Sequence, residues 1–224
     1  MRNLCIVQAR MSSTRFPGKV LAPLGESTVM KVLLSRLSMS RSIQEIIVAT
    51  SLDPSDDALV DHIRDQKIFR GDLLDVRSRF IELGKKYAPQ NIVRITGDCP
   101  LVCHELVDKM MIVHETEGSD YTANCNINPY PKGFDIEIFR TDVLLRTDYL
   151  TGYSYDKEHV TPWMYSSGKL RVTNLEFPQH DKSRKLNFSI DTQKDLLFLN
   201  QLEIEQSVSK HTFKEIWKRI EPQI

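Results

Sequence analysis

Short apolar runs alternate with amphipathic stretches along the first half of the chain. Leu4 to Val7, Glu45 to Thr50 and Asn91 to Thr96 have the composition of buried strands. Between them, Thr28 to Ser38 and Asp75 to Tyr87 repeat apolar residues at helical spacing. Strands that alternate with helices through short loops predict an α/β fold with a mixed, mainly parallel sheet between helices.

The second half is less regular, and its predicted strands include Tyr121 to Asn124 and Lys169 to Phe177. Phe134 to Phe139 alternates apolar residues with Asp135 and Glu137, which is typical of a half-exposed strand. The two carboxylates of that strand are then expected to face a pocket or water. Leu186 to Ile190 is a second apolar run of strand length.

Capping residues predict where several helices begin. Ser55 is suited to cap a helix that runs to about Arg64, with Asp56 in its first turn. Thr192 to Asp195 and Thr212 to Glu215 each have the spacing of a capping box, so a helix is expected to follow each of them.

The bulk composition bounds the class of protein. The chain has 224 residues, enough for one α/β domain with a sizeable core, and we assign residues 1–224 to one domain. Thirty basic and thirty acidic residues cancel, so neither nucleic acid nor an anionic membrane is an expected partner. No apolar run approaches the roughly 20 residues of a membrane-spanning helix. Four cysteines without a CxxC pair are typical of reduced thiols, so we expect a cytoplasmic protein.

One basic loop directly follows the first predicted strand. The stretch from Cys5 to Val20 reads CIVQARMSSTRFPGKV, with Arg10, Arg15 and Lys19 among small hydroxyl residues. Ligands of open α/β sheets bind beyond the carboxyl ends of the strands, and backbone amides with basic side chains suit phosphate oxygens. The loop therefore predicts a polyanion site, although the same residues also suit a solvated basic loop. It lacks the first glycine and the Ser/Thr of a Walker A loop.

Six motifs follow one another over roughly residues 3 to 200. They are IVQARMSSTRFPGKVL, FRGD with DV at 75–76, RITGDCPL around Asp98, GFDIE at 133–137, EHVTP at 158–162 and IDT at 190–192. In this order they resemble the sugar-acid cytidylyltransferases, which activate sialic-type acids and Kdo. They are most similar to the SpsF branch of that family, named for spore coat polysaccharide biosynthesis.

The resemblance implies a nucleotide-diphosphosugar transferase-like fold, and a reaction in which CTP and an acidic sugar give a CMP-sugar and pyrophosphate. It implies that Arg10, Lys19 and Asp98 take part in catalysis. The nucleotide-binding set that it implies is Ala9, Arg10, Ser12, Ser13, Arg15, Lys19 and Asp72. Substrate contacts are expected at Asp135, Glu137, Glu158 and His159. Because Arg10 and Lys19 lie in a polar loop, we expect their loss to lower turnover at little cost in stability.

Asp98 and Asp191 are the candidate metal ligands. Each follows a predicted strand, where a carboxylate is suited to hold a divalent cation on a triphosphate. Each is equally suited to an ordinary turn or helix cap. The resemblance assigns both residues to the metal site and implies Mg²⁺ as the cofactor.

The chain departs from the family pattern just before the second aspartate. Members often carry a basic residue a few positions earlier, whereas this chain reads Leu186 to Ser189 there, which leaves Arg184 or Lys185 as the candidate replacement. Two alternative functions stay open. One is a nucleotidyltransferase that acts on a sugar or polyol phosphate, and the other is a non-catalytic nucleotide-binding subunit.

The resemblance also implies a possible homodimer. The segment from Asn124 to Phe139 is the candidate interface, because Tyr130, Phe134 and Ile136 offer apolar contact area. Packing within the same chain explains these residues equally well.

Overall fold

The computed structural model of the chain describes residues 3–149, 154–179, 186–202 and 211–220. The strands are β1 (Asn3–Gln8), β2 (Pro23–Leu24), β3 (Ser27–Thr28), β4 (Glu45–Ser51), β5 (Lys67–Gly71), β6 (Asn91–Thr96), β7 (Tyr121–Ala123), β8 (Glu137–Arg140) and β9 (Val172–Asn174). The helices are α1 (Val29–Leu37), α2 (Asp57–His62), α3 (Val76–Tyr87), α4 (His104–Thr116), α5 (Thr141–Arg146), α6 (Ser154–His159), α7 (Pro162–Ser166), α8 (Gln193–Gln201) and α9 (Phe213–Ile220). Short 3₁₀ helices span Lys19–Leu21, Pro54–Asp56 and Thr147–Tyr149. None of the helices in these ranges is long and apolar enough to cross a membrane.

Seven of the described strands form one sheet in the order β5-β4-β1-β6-β8-β7-β9. The first four are parallel neighbours, β8 runs antiparallel to both β6 and β7, and β9 is parallel to β7. This confirms the predicted mixed, mainly parallel sheet. The chain moves outward from β1 to β4 and β5 and then returns to the other side of β1 as β6. The order therefore reverses between β1 and β6, which is where open α/β sheets bind their ligands.

The central strand β1 is buried on both faces. Cys5 and Val7 belong to a core cluster that includes residues of α1 and α4. Leu4 and Ile6 point to the other face and join a cluster with residues of α3 and α5. Helices on both sides explain why the strand is apolar from Leu4 to Val7. A ligand can therefore approach β1 only at its end.

The predicted half-exposed strand over Phe134 to Phe139 is wrong in extent and in exposure. The strand β8 begins at Glu137, and the side chains of Phe134, Ile136 and Ile138 are fully buried. Glu137 itself is only 6% exposed. The reason is that both faces of this part of the sheet are covered, since Ile138 belongs to one core cluster and Phe139 to the other.

The apolar side chains that were expected at a dimer interface are also buried within the chain. Tyr130 is 6% exposed, and its ring lies 5.0 Å from the ring of Phe213 in α9. Phe134 packs edge-on against Phe188 and Phe213. The rings that were expected to meet a second chain therefore pack in the core of their own chain.

Two of the predicted helix starts are confirmed and one is wrong. Thr192 and Asp195 form the expected capping box. At the second position the Thr212 N–H donates to the Glu215 carboxylate, and the Glu215 N–H donates to the Thr212 hydroxyl. Ser55 does not cap a helix. Asp53 caps a short 3₁₀ turn by accepting the Ser55 N–H at 2.9 Å.

The predicted strand from Leu186 to Ile190 is also wrong, and a single bridge between Asn187 and Lys132 replaces it. The Phe188 N–H donates to the Lys132 carbonyl at 2.7 Å. Gly133 makes this approach possible. It has a φ of 99°, and a Cβ on it would lie 2.4 Å from the carbonyl carbon of Phe188.

We expect Gly133→Ala to lower the free energy of unfolding by about 3 kcal/mol or more, because left-handed strain adds to a collision with backbone. Gly168→Ala is the matched control, since Gly168 has a φ of 67° with nothing within 4 Å. It should cost only about 1–2 kcal/mol. Urea denaturation measures both values, and equal losses would contradict the close backbone contact.

Candidate active site

A cleft of about 320 Å³ opens where β1 and β6 end. Gln8 and Ala9 reach it from β1, and Thr96, Gly97 and Asp98 reach it from β6. The other lining residues come from the first loop, from α3 and from two later segments: Arg10, Ser13, Thr14, Arg15, Lys19, Val20, Val76, Arg79, Glu158, His159 and Asp191. The cleft thus lies at the switch point of the sheet and collects residues from all along the chain.

The side chain of Asp56 fixes the start of the first loop. Asp56 is fully buried, and its Oδ1 accepts the Met11 N–H at 2.6 Å. Its Oδ2 accepts hydrogen bonds from the Thr50 hydroxyl at 2.8 Å and from Ser51 at the end of β4. Burial opposes ionisation, but these hydrogen bonds outweigh it and lower the pKa of Asp56. The loop is therefore anchored to the neighbouring strand at the residue after Arg10.

The Lys19 ammonium joins the two predicted metal ligands. Its Nζ lies 2.6 Å from Oδ2 of Asp98 and 3.0 Å from Oδ1 of Asp191. The Lys19 side chain is only 11% exposed. The Asp98 carbonyl also accepts the Ile190 N–H at 2.8 Å, which holds the two aspartate segments together. Lys19 is thus a buried counter-ion, and the expectation that its loss costs little stability is corrected on this ground.

Two more cations surround Asp191. Arg15 approaches the same oxygen, Oδ1, at 2.9 Å, and Lys132 Nζ lies 2.8 Å from Oδ2. Burial of Asp191 disfavours its charge, but the hydrogen bonds and charges of Lys132 and Lys19 win and lower the pKa of Asp191 to about 2. Three cations therefore meet one ionised carboxylate, and this surplus of positive charge suits a polyanion.

Sequence reasoning missed Lys132. Arg184 and Lys185, the candidates for the basic residue near Asp191, lie outside the described residues. Lys132 comes instead from a distant segment, held in place by the Gly133 backbone contact. The only signal for it was a lysine next to a glycine in the GFDIE motif, and nothing local pointed toward Asp191.

Arg79 is a second cation that the sequence did not single out. It is 1% exposed, and its Nε donates to the Asp72 carbonyl at 2.7 Å while Nη2 donates to the Leu73 carbonyl at 3.1 Å. Burial lowers the pKa of its guanidinium. These acceptors are neutral carbonyl oxygens, which do not cancel the charge of the guanidinium. Arg79 therefore adds positive charge to the wall of the cleft.

The structure gathers most of the predicted nucleotide-binding residues but not all. Ala9, Arg10, Ser13, Arg15 and Lys19 line the cleft, and Ser12 is an exposed residue of the same loop outside its lining. Asp72 also lies outside the lining, where its Oδ1 accepts the N–H groups of Leu74 and Asp75. These backbone hydrogen bonds lower the pKa of Asp72.

The predicted substrate residues divide into two pairs. Glu158 and His159 line the cleft, and Glu158 Oε1 lies 3.3 Å from Arg10 Nη2. Asp135 and Glu137 are absent from the lining. Burial, together with the charges of Glu137 and Asp98, raises the pKa of Asp135 to about 6, against the lowering effect of the Gly133 N–H. Both oxygens of Glu137 are occupied by other side chains, so its contribution to the site is indirect.

The carboxylate pair fits a divalent cation bound together with a triphosphate. No three metal-ligating side chains converge within the described residues, so these residues alone do not form a full ligand cage. Mg²⁺ is commonly held by one or two carboxylates plus substrate phosphates. Asp98 and Asp191 already converge on a single positive centre, the Lys19 ammonium, and oxygen ligands of this kind suit Mg²⁺.

Comparison with known proteins shows the family to which the chain belongs. A family model described as "Cytidylyltransferase" matches residues 4–216. The chain is similar to the spore coat polysaccharide biosynthesis protein SpsF of Bacillus subtilis (strain 168). The two are 36% identical over 200 residues, which cover 86% of this chain and 82% of that protein.

Two solved structures are also similar. A cytidylyltransferase from Leptospira borgpetersenii serovar Hardjo-bovis superposes with a TM-score of 0.92 at 28% identity, over 100% of this chain and 95% of that one. CMP:2-keto-3-deoxy-manno-octonic acid synthetase in complex with CTP gives a TM-score of 0.69 at 16% identity, over 92% of this chain and 100% of that one. The second likeness concerns the fold alone.

We expect Lys19→Met to lower the free energy of unfolding at neutral pH by about 2 kcal/mol, because it leaves two close carboxylates without their shared counter-ion. The folded-state pKa of Asp191 is depressed to about 2, so this stabilisation is complete above the unfolded value of about 4 and is lost as pH falls toward 2. The deficit of the variant should therefore shrink over that window.

Chemical denaturation at pH 7 and across the acid range measures the deficit. Lys109→Met is the matched control, because Lys109 lies on the exposed face of α4 and the substitution is the same. A deficit that is equal in the two variants, or independent of pH, would contradict the counter-ion role.

Proposed function

Because the chain belongs to the cytidylyltransferase family, we propose that it transfers CMP from CTP to an acidic, sialic- or Kdo-like sugar. Pyrophosphate is the second product, and the CMP-sugar serves surface polysaccharide biosynthesis. The likeness to SpsF supports the polysaccharide role, and the fold likeness to a synthetase in complex with CTP supports the nucleotide.

One observation is the main support for this proposal. The Lys19 ammonium bridges Asp98 and Asp191 at the point where the strand order reverses, and Arg10, Arg15 and Lys132 lie around it. A triphosphate brings the negative charge that such a cluster of cations attracts.

In the proposed reaction, the positive side chains of the cleft bind the triphosphate. Arg10, Arg15 and Lys19 bind the triphosphate oxygens, and Ala9 and Ser13 line the cleft beside them. The acceptor hydroxyl attacks the α-phosphorus, the bond from that phosphorus to the leaving oxygen breaks, and pyrophosphate departs on the opposite side. Transfers of this kind depend on positioning and charge stabilisation more than on covalent help. Lys19 and Arg10 stabilise the charge that grows on the pyrophosphate.

Asp98 and Asp191 would hold the divalent cation, for which we propose Mg²⁺. When bound, it neutralises phosphate charge and eases ionisation of the attacking hydroxyl. Lys19 must then shift from the carboxylates to the phosphates, which its flexible four-carbon stem permits. Lys132 keeps Asp191 ionised throughout through the contact with Oδ2.

The acceptor side is assigned to Glu158 and His159, which line the cleft, with Asp135 and Glu137 behind it. A sugar or polyol phosphate remains the second candidate acceptor, because the same cations suit an added phosphate. The third hypothesis is a non-catalytic nucleotide-binding subunit. Such a protein differs from the two enzymes because it would release no pyrophosphate. Asp72 stays in the proposed nucleotide-binding set on the family resemblance alone, because it lies outside the lining of the cleft.

Assembly and location stay predictions. A homodimer rests on the family resemblance alone, now that the rings expected at the interface are buried. A cytoplasmic location is supported by the four free cysteines, of which Cys5, Cys99 and Cys103 are buried thiols. We also retain the assignment of residues 1–224 to one domain.

The substitutions Asp98→Asn and Asp191→Asn should each cut the rate of pyrophosphate release about 100-fold or more, because each removes one of the two charges that hold the cation. The change keeps the shape of the side chain. Release is measured with CTP, 3-deoxy-manno-octulosonate and increasing Mg²⁺, and the variants should need more Mg²⁺ for half-maximal rate.

Asp53→Asn is the control, because Asp53 caps a 3₁₀ turn and Asn caps equally well. It should be nearly silent. Near-normal release in either cleft variant would remove that aspartate from the metal site. Absence of release in the wild type with every acidic sugar, but release with a phosphorylated acceptor, would favour the second candidate.

A further inference from the structure

A buried carboxylate connects the two walls of the cleft. Glu137 lies directly opposite Arg94 in the register of β8 on β6, and Oε2 of Glu137 forms an ion pair with Nη1 of Arg94. The Arg94 and Glu137 side chains are 10% and 8% exposed. Nε of Arg94 also donates to Oε1 of Gln8 at 2.9 Å, and Gln8 lines the cleft at the end of β1.

The other oxygen of Glu137 reaches toward the EHVTP motif. Oε1 accepts the Tyr121 hydroxyl at 2.6 Å and the Thr161 hydroxyl at 2.6 Å. Thr161 is 2% exposed. A hydroxyl that donates to a buried carboxylate makes a charge-assisted hydrogen bond, which is stronger than a neutral one. Thr161 is therefore tied to the sheet through Glu137.

The backbone just before Thr161 is strained. Val160 has a φ of 69°, a left-handed conformation that is a genuine outlier for a β-branched residue. The Thr161 N–H donates to the His159 carbonyl at 2.8 Å, so the chain closes a three-residue turn of the rarer, strained γ type. Such a conformation persists only where its surroundings impose it, and strained turns cluster at functional sites.

We propose that Glu137 and Thr161 are positioning residues that hold the strained turn, residues 159–161, between α6 and α7, so that Glu158 and His159 at the end of α6 face the acceptor. The Thr161 hydroxyl fixes the carboxyl end of the turn. Glu158 closes the other side through Arg10, which belongs to the first loop. A continuous set of polar contacts thus runs from Gln8 through Arg94, Glu137 and the turn back to Arg10.

This inference rests on the proposed function for the identity of the acceptor but not for the anchor itself. It also changes the role expected for Glu137. Rather than contacting the sugar, Glu137 acts through Thr161 on the residues that do. Glu137 is a poor target for a first test, because removing one partner of a buried pair leaves Arg94 uncompensated and threatens folding.

Thr161→Val is the informative variant, because valine keeps the shape and burial while removing the hydroxyl. Thr161→Ser restores the hydroxyl and should restore wild-type behaviour. Thr147→Val is the matched control. Thr147 is fully buried, and its hydroxyl donates to the Leu144 carbonyl at 2.6 Å, but it has no contact with the Glu137 network among the described residues.

The first measurement is hydrogen exchange of the amides from 158 to 164 in the protein without ligands. We expect exchange in Thr161→Val to be faster by about tenfold or more, with Thr161→Ser and Thr147→Val close to wild type. Unchanged exchange in Thr161→Val, or equal acceleration in Thr147→Val, would overturn the anchor.

The second measurement is the steady-state kinetics of pyrophosphate release, with 3-deoxy-manno-octulosonate and N-acetylneuraminate as probes. We expect KM for the acid sugar to rise about tenfold in Thr161→Val, with KM for CTP changed less than about twofold. A looser turn with an unchanged acceptor KM would overturn the positioning role. If the wild type turns over neither probe, the proposed acceptor class fails, and hydrogen exchange alone decides the anchor.

Discussion

The salt bridge of Lys19 to Asp98 and Asp191 is the constraint on which the cleft depends. Its partners are 79 and 172 positions away along the chain, so it closes the ends of β1, β6 and the segment before α8 around one ammonium group. Two carboxylates this close would otherwise repel each other and resist burial. The switch point of the sheet places β1 beside β6, and the salt bridge turns that geometry into a charged site.

The charge around this salt bridge explains how the site can exchange one counter-ion for another. Without ligand, the carboxylates are neutralised internally by Lys19, with Arg15 and Lys132 at Asp191. In the proposed mechanism, a triphosphate with its cation would supply new partners to both halves of the cluster, because the ammonium would pair with phosphate oxygens and the carboxylates would hold the cation. Binding can therefore proceed without leaving a buried charge unpaired, which would be costly. The anchors at Asp56 and Glu137 hold the surrounding backbone while the side chains exchange partners.

Local sequence signals predicted much of the framework. The apolar strands β1, β4 and β6, the helices α1 and α3 and the capping box at Thr192 all depend on periodicity or on neighbours a few residues apart. Asp98 and Asp191 could be picked out because each stands at the end of an apolar run. The resemblance to cytidylyltransferases then joined these positions into one site, and the family match confirms that membership.

The rest of the site depends on contacts between distant segments, which no local pattern encodes. Asp56 was expected to be an ordinary acid in the first turn of a helix, yet it is buried and accepts the N–H of Met11, 45 positions away. Lys132 meets Asp191 across 59 positions and Glu137 meets Arg94 across 43. Alternation suggested that Glu137 was exposed, because the pattern cannot tell a solvent-facing side of a sheet from one that other elements cover. Glu137, which was expected at the surface, is therefore a buried residue that anchors its neighbours.

The central claim is that the cleft around Lys19 is a site for CTP with a divalent cation, and thermal unfolding tests it most directly. The four nucleoside triphosphates are compared with and without Mg²⁺, since a ligand at 100 times its Kd stabilises the folded state by about 2.7 kcal/mol. CTP with Mg²⁺ should raise the unfolding temperature most, and CTP alone should raise it less. Equal or greater stabilisation by ATP or GTP, or no effect of any triphosphate, would contradict the account.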